Sequence, residues 1–367
     1  MLLGLEITIF WLLLTLSVYW ILRSFNLNLA LYFLIFSSIF TIGFFKIFIL
    51  IFLLSQLFLI FLLYQASKNF FAFKTKNLPW FSFIGLLPIN LYESLGRKSM
   101  PDISEFLNVG MNHLIWYTGG TFVVIKSYVL LKESIKINRF LLRESLLNLT
   151  FIPALPAGPI AGSFPYSNQN IRQFSLKDVT RSVMMMIWGV AGVYIISPEL
   201  KNVLFDLSQL SHIDSLSKIY LNFFSLYFDF SGYSLIAIAS ASFFGISLPA
   251  NFNKPYLATS IRDFWQRWHM SIGVFIDNYI LRPFVRRFGP NYLGLGIFLA
   301  FIFIGLWHKF SYGYLFWGVA HGAALFLTSI NLFGRSATKN KFPKFSKFMN
   351  WFLTISFVAF ISSIANK

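Results

Sequence analysis

Hydrophobic residues in this chain come in long blocks, and the polar residues gather between the blocks instead of alternating within them. Residues 7–22, 28–45 and 47–65 are apolar on every face, which predicts three helices surrounded by lipid or by other helices. Further blocks at 80–92, 110–131, 181–197, 219–247, 292–306, 312–331 and 348–364 continue the series. Crossing the hydrocarbon core takes about 20 apolar residues, so the pattern predicts an all-α polytopic membrane protein with about ten to eleven transmembrane helices.

The interruptions carry information too. Lys68, Lys74, Lys76 and Asn77 ahead of Pro79 form a polar link, and Arg97 to Asp102 reads as a loop. Basic residues stand on both sides of 110–131, so either that segment is re-entrant or one basic cluster is external. Residues 153–165 hold four prolines in thirteen positions, and no continuous helix survives that. The stretch is uncharged. It is either a buried loop lining a cavity or a surface loop at the headgroups.

Composition narrows the class. Apolar residues make up 57% and charged residues 12%, with a mean hydropathy of +0.67. A soluble domain carries about 25% charged residues, so the missing solvent is lipid and no ordinary soluble domain fits. The whole of 1–367 reads as one membrane-embedded unit, with 1–65 as N-terminal helices and 334–367 as a basic connector and last helix. The net charge of +17 sits beside the hydrophobic spans. It is read as an orientation signal that meets anionic lipid, and not as a nucleic-acid surface. The chain has no cysteine, which excludes disulfides, thiolate metal sites and a cysteine acyl-enzyme. The apolar start, without a cationic lead, reads as a retained first helix and not a signal peptide.

Of the five histidines, His113 and His212 read as interfacial or loop residues. His269, His308 and His321 each stand in aromatic company. Trp265 precedes His269 by four and Trp317 precedes His321 by four, so on helices each would form a stacked pair on one face. Ionisable groups at membrane depth usually mark function, and imidazole titrates near neutrality. Gly318 and Gly322 flank His321 at a spacing that admits a second helix closely. His321 is therefore predicted to be buried, either as a general base or as a packing residue bonded to a backbone carbonyl. The spacings of 39 and 13 residues fit no compact metal-ligand motif, and Asp277 is the nearest obvious carboxylate.

Residues 251–287 are basic and rich in tryptophan. Thr259 or Ser260 is placed to cap a helix starting at Ile261, and Asp263 and Arg267 form an i,i+4 pair. The segment is either an interfacial anchor or a cytosolic rim whose arginines suit a phosphate-rich carrier.

Asn251 to Ser271, Gly305-Leu-Trp-His308 and Trp317-Gly-Val-Ala-His321-Gly322 together resemble the membrane-bound O-acyltransferase superfamily. The likeness is to its bacterial branch, which acylates cell-surface polymers. Phe230 to Ser234, Pro249 to Pro255 and Thr259 to Trp265 add to it, and good matches cover about 110–325. This sequence departs from the family pattern at Ile276, where an arginine is usual, and at Lys309, where a glycine is usual. The resemblance implies broken or re-entrant segments around a central pore in the bacterial cytoplasmic membrane. It implies an acyl donor from the cytosol, either acyl-CoA or an acylated phosphopantetheine carrier protein, and no bound cofactor. The acceptor would be a hydroxyl of a cell-surface polymer or lipid-linked glycan, with an accessory extracytoplasmic transferase as a further partner.

In the mechanism so implied, His321 is the general base and His269 or Asn253 stabilises the oxyanion. Lys254, Trp265, Arg267, Trp268, His308, Trp317, Arg286 and Arg287 are expected to bind substrate. A transporter or flippase for an envelope precursor is the rival reading. It predicts repeat symmetry, which the sequence does not display.

Overall fold

The computed structural model describes residues 5–45, 47–69, 78–86, 120–162, 175–209, 215–329 and 343–365. All regular structure among these residues is helical. Among the described residues, seven helices are long and apolar enough to cross a membrane: Ile7–Phe25, Leu27–Phe45, Ile49–Lys68, Lys177–Leu204, Leu216–Phe243, Pro290–His308 and Lys344–Ala365. They match seven of the apolar blocks. The other three blocks differ. Leu78–Leu86 is a 3-10 helix, and the rest of 80–92 lies outside the described residues. Of 110–131, only the helix from Gly120 onward is described. The block at 312–331 is a helix over Tyr312–Ser329 that is not among the seven. His113, His212, the Arg97–Asp102 loop and most of the basic connector fall outside the described residues.

The chain divides into two compact units, Met1–Val190 with Tyr233–Pro249, and Ala191–Gly232 with Ala250–Lys367. In the first, α1 (Leu5–Phe25), α2 (Leu27–Phe45) and α3 (Ile47–Asn69) pack in sequence order, followed by α4 (Gly120–Lys136), α5 (Leu142–Thr150) and α6 (Leu176–Ala191). Fully buried Trp11 meets Phe151 and Phe244 with ring centroids 5.6 and 5.3 Å apart. The last carbonyls of a helix have no partner within it. Here Tyr19 Oη donates to the Phe244 carbonyl at 2.9 Å and Trp20 Nε1 to that of Phe243 at 3.1 Å. Phe36, Phe40 and Phe44 stack in a row along α2 and are exposed, an arrangement suited to lipid.

The proline-broken stretch belongs to this unit, and residues 151–161 are almost wholly buried. That excludes the headgroup alternative for them; residues 163–165 lie outside the described residues. A buried irregular backbone needs donors for its carbonyls. Lys126 Nζ donates to the Ala154 carbonyl at 3.0 Å, and Ser234 Oγ to that of Ala157 at 3.1 Å. Asn148 Nδ2 serves the carbonyls of Ala161 and Gly162 at 2.7 and 2.9 Å. A Cβ on Gly158 would stand 2.6 Å from Ala154 Cα, so glycine is required by the loop's own path.

The second unit holds α7 (Ser197–Gln209), much of α8 (Ser215–Phe243), then α9 (Ile261–Trp265), α10 (Met270–Ile276) and α11 (Arg282–Phe288). A π turn at Asp277–Leu281 joins the last two. Then come α12 (Leu293–His308), α13 (Tyr312–Ser329) and α14 (Pro343–Ala365). Helices α12 and α13 are in intimate contact, as the glycine spacing predicted. A Cβ on Gly318 would lie 2.6 Å from the Phe301 carbonyl oxygen, and one on Gly322 would lie 2.9 Å from that of Phe298.

Candidate active site around three histidines

Ser260 caps α9, accepting from the Asp263 amide, and Arg267 Nε meets Asp263 Oδ1 at 2.6 Å, both as the sequence predicts. The helix then stops after five residues. The segment 251–253 captures the backbone beyond it. The Asn253 amide donates to the Arg267 carbonyl at 2.9 Å, and the Met270 amide to the Asn251 carbonyl at 2.8 Å. His269 is left at the start of α10 in the left-handed region, with φ 46°. Trp265 and His269 thus lose the helical spacing expected of them. The His269 ring instead meets Phe230 edge-on at 4.9 Å, and the Trp265 ring meets His321 at 5.2 Å. The other expected pair forms, with Trp317 and His321 4.8 Å apart on α13.

These residues surround a cavity of about 180 Å³ within the second unit. Trp265, Trp268, His269, His308, Trp317 and His321 all line it, so six of the predicted site residues converge. His269 and His321 are buried, whereas His308 at the end of α12 is exposed. Trp268 packs in a triangle of rings with Phe264 and Phe223 and edge-on to Phe252 at 5.1 Å, which stiffens the wall on which His269 sits. The last helix contributes as well. Val358, Ser362 and Ala365 line the cavity, and Phe357 meets His321 edge-on at 5.2 Å. The resemblance read from the sequence covers about 110–325 and does not reach that helix.

Other predicted residues stand apart from the cavity lining. Asn253 and Lys254 are exposed, and Asn253 serves the turn through its backbone. The asparagine that meets a histidine is Asn251, which is buried. Its Oδ1 lies 3.0 Å from His269 Nδ1 and also accepts from the Ser271 hydroxyl at 2.9 Å and amide at 3.3 Å. The sequence signal, an Asn-Phe-Asn triplet, was on the page; the choice between its two asparagines was not. Arg286 and Arg287 are exposed on α11, while Arg282 is paired with Asp277 at 2.7 Å.

On His321, Trp265 Nε1 donates to Nδ1 across a long 3.4 Å, and the buried Nε2 has no hydrogen-bond partner among the described residues. Burial pushes the His269 imidazole below its ordinary value, and the neighbouring His308 adds to this, so the ring is neutral at physiological pH. A small chamber walled by tryptophan and phenylalanine, with two buried imidazoles, strengthens hydrogen bonds made against its wall.

A family model described as the membrane-bound O-acyltransferase family matches residues 167–366, running through the last helix. The chain is 31% identical over 221 residues to a peptidoglycan O-acetyltransferase of Helicobacter pylori, covering 58% of this chain and 41% of that protein. It is 25% identical over 316 residues to a teichoic acid D-alanyltransferase of Bacillus subtilis, covering 80% of each. It is 34% identical over 134 residues to a probable alginate O-acetylase of Pseudomonas aeruginosa, covering 36% of this chain and 25% of that protein. The chain therefore spans under half the length of the first and third of these relatives. The family match takes in more than half of the chain and every element of the histidine cavity after α8, and the protein belongs to the membrane-bound O-acyltransferase family.

Proposed function

We propose that this protein is a membrane O-acyltransferase that carries a small acyl group, acetyl or D-alanyl, from a thioester to a hydroxyl of a cell-surface polymer or lipid-linked glycan. The carrying observation is the cavity itself, with two buried histidines in an aromatic chamber of about 180 Å³. An enclosed protein cavity of about 150 Å³ holds one benzene, so this chamber has room for an acyl group of two or three carbons. The relatives named for acetyl and D-alanyl transfer support the same range. Acid–base work falls to His269 and His321, the polar groups buried in that wall.

The donor is acyl-CoA or an acylated phosphopantetheine carrier protein. Arg267 and Arg282 are engaged by Asp263 and Asp277, whereas exposed Arg286 and Arg287 stand side by side on α11 and suit carrier phosphates. The setting is the bacterial cytoplasmic membrane, with about ten to eleven crossings around a pore and an accessory extracytoplasmic transferase as partner. The seven apolar helices among the described residues, with α4 and α13, supply nine helices toward that count.

The test is reconstitution of the full chain in vesicles with radiolabelled acetyl-CoA or D-alanyl carrier protein and soluble fragments of peptidoglycan, teichoic acid or alginate. Ester label on one polymer from one donor, lost in His321→Ala, is the expected result. Movement of a lipid-linked glycan across the vesicle without ester formation would instead establish the flippase.

A further inference from the structure

Much of the cavity lining is aromatic, but α14 gives it only small side chains, Val358, Ser362 and Ala365. At i, i+4 and i+7 they share one face of that helix. Val358 is 2% exposed and belongs to one apolar cluster with Phe223, Phe264 and Trp268, which line the same cavity. Its neighbour Phe357 meets the His321 ring edge-on at 5.2 Å. His321 is fully buried, and its Nε2 has no hydrogen-bond partner among the described residues. The α14 face is also held in place. Trp351 Nε1 donates to the Tyr256 carbonyl at 2.7 Å, and the Tyr220 and Ser356 hydroxyls lie 2.5 Å apart. At the other end the Ala365 carbonyl oxygen packs onto Gly313, where a Cβ would stand 2.8 Å from it. These fixed points stand on both sides of Val358 and Ser362 along the helix, so this part of the wall resists retreat.

We infer that Val358 sets the length of the acyl group, by closing the chamber where the chain of an acyl group held at His321 extends. The inference rests on the acyl-transfer reading and deepens it. The donor class is a thioester of two or three acyl carbons, and α14 is the wall that refuses longer ones. The geometry singles out Val358 on that face, because Ala365 has no chain to shorten and Ser362 is only half-buried. The rings beside it have another duty. Phe223, Phe264 and Trp268 brace one another, with centroids 5.5 to 6.2 Å apart. Removing one of them breaks that triangle, whereas shortening Val358 opens the chamber and leaves its supports standing. Valine and alanine differ by two methyl groups, and a packed interior responds to a change of one methylene. In an apolar pocket one methylene changes selectivity by about 10–200-fold.

The experiment uses the full chain in vesicles with the same polymer fragments. The donors are acetyl-, propionyl-, butyryl- and hexanoyl-CoA, and those four acyl groups and D-alanyl on the carrier protein. The readout is the ratio of kcat/KM for two acyl groups within one variant, which a general loss of folded protein leaves unchanged. Wild type should use its preferred small group, acetyl or D-alanyl, at least ~100-fold better than hexanoyl. Relative to that small group, Val358→Ala should improve butyryl at least ~10-fold, and Val358→Leu should worsen propionyl by a similar factor. Two results would overturn the inference and leave the acyl-transfer reading standing. One is a wild type that takes hexanoyl as readily as the small group. The other is a butyryl ratio unchanged in a Val358→Ala protein that still transfers the small group. No ester from any of these donors in wild type would sink that reading and the inference with it.

Discussion

Trp265 and His269, and Trp317 and His321, repeat one spacing: a tryptophan four residues before a histidine. In α13 the spacing does what helical geometry requires, and the two rings meet at 4.8 Å. In the other stretch the helix ends at Trp265, the chain turns, and His269 stands in the left-handed region. The two stretches have similar local chemistry and opposite outcomes. The deciding contacts come from outside. α13 lies against α12 through Gly318 and Gly322, and a straight helix is what that contact rewards. Beyond α9, the backbone of 267–270 pairs with 251–253, and a helix would forfeit those bonds. The broken stretch sends Trp265 to one histidine and His269 to the other side of the chemistry.

The comparison can be broken most sharply at His321. His321→Ala should reduce acyl transfer at least ~100-fold with folded protein retained, since loss of a positioned acid–base group usually costs about 10²–10⁴-fold. Activity above a tenth of wild type in the vesicle assay would show that the regular stretch is only packing.

Next in size is the contrast between two glycines. Gly318→Val drives a side chain into the Phe301 carbonyl, whereas a Cβ on Gly273 of α10 meets nothing within 4 Å. Overpacking costs typically 1–3 kcal/mol, so Gly318→Val should lower the melting temperature by several degrees and activity about tenfold. Gly273→Ala should be neutral or stabilising by up to ~1 kcal/mol, because glycine is poor inside a helix. Equal losses in both variants would remove the tight α12–α13 contact as the reason α13 stays regular.

A third test reads the backbone at each histidine. An L-residue in the left-handed region costs about 1–2 kcal/mol, so His269→Gly should be more stable than His269→Ala by ~1 kcal/mol. At His321 the order should reverse by ~0.5–1 kcal/mol, because there glycine interrupts a helix. Thermal unfolding of the four variants checks the sign change, and the same order at both sites would contradict the two backbone geometries.

The smallest effect is expected where the broken stretch runs on into α11. Replacing exposed Arg286 and Arg287 with Gln should raise the donor's KM several-fold with kcat little changed, since such contacts bind ground and transition states alike. An unchanged KM would reduce the pair to an orientation signal.

What the sequence alone determined is what depends on short range and on solvent. Seven apolar blocks became long helices because a chain with 12% charged residues has lipid as its solvent, and lipid leaves the backbone few alternatives to the helix. The Ser260 cap, the Asp263–Arg267 pair and the Trp317–His321 pair were legible because each spans five positions or fewer of the chain. The aromatic company of His269, His308 and His321 was legible, but their convergence on one cavity was not. Tertiary structure alone decided which asparagine meets His269, which histidine Trp265 touches, and that the plain helix α14 closes the cavity through Val358 and Ser362. Each of these turns on a contact between residues far apart in the chain: Asn251 with His269 across 18 positions, and Trp265 with His321 across 56. Local propensity is silent over such distances, because the chain folds to the backbone path that satisfies its buried donors and acceptors together, and that path ends a helix in one place and preserves it in another.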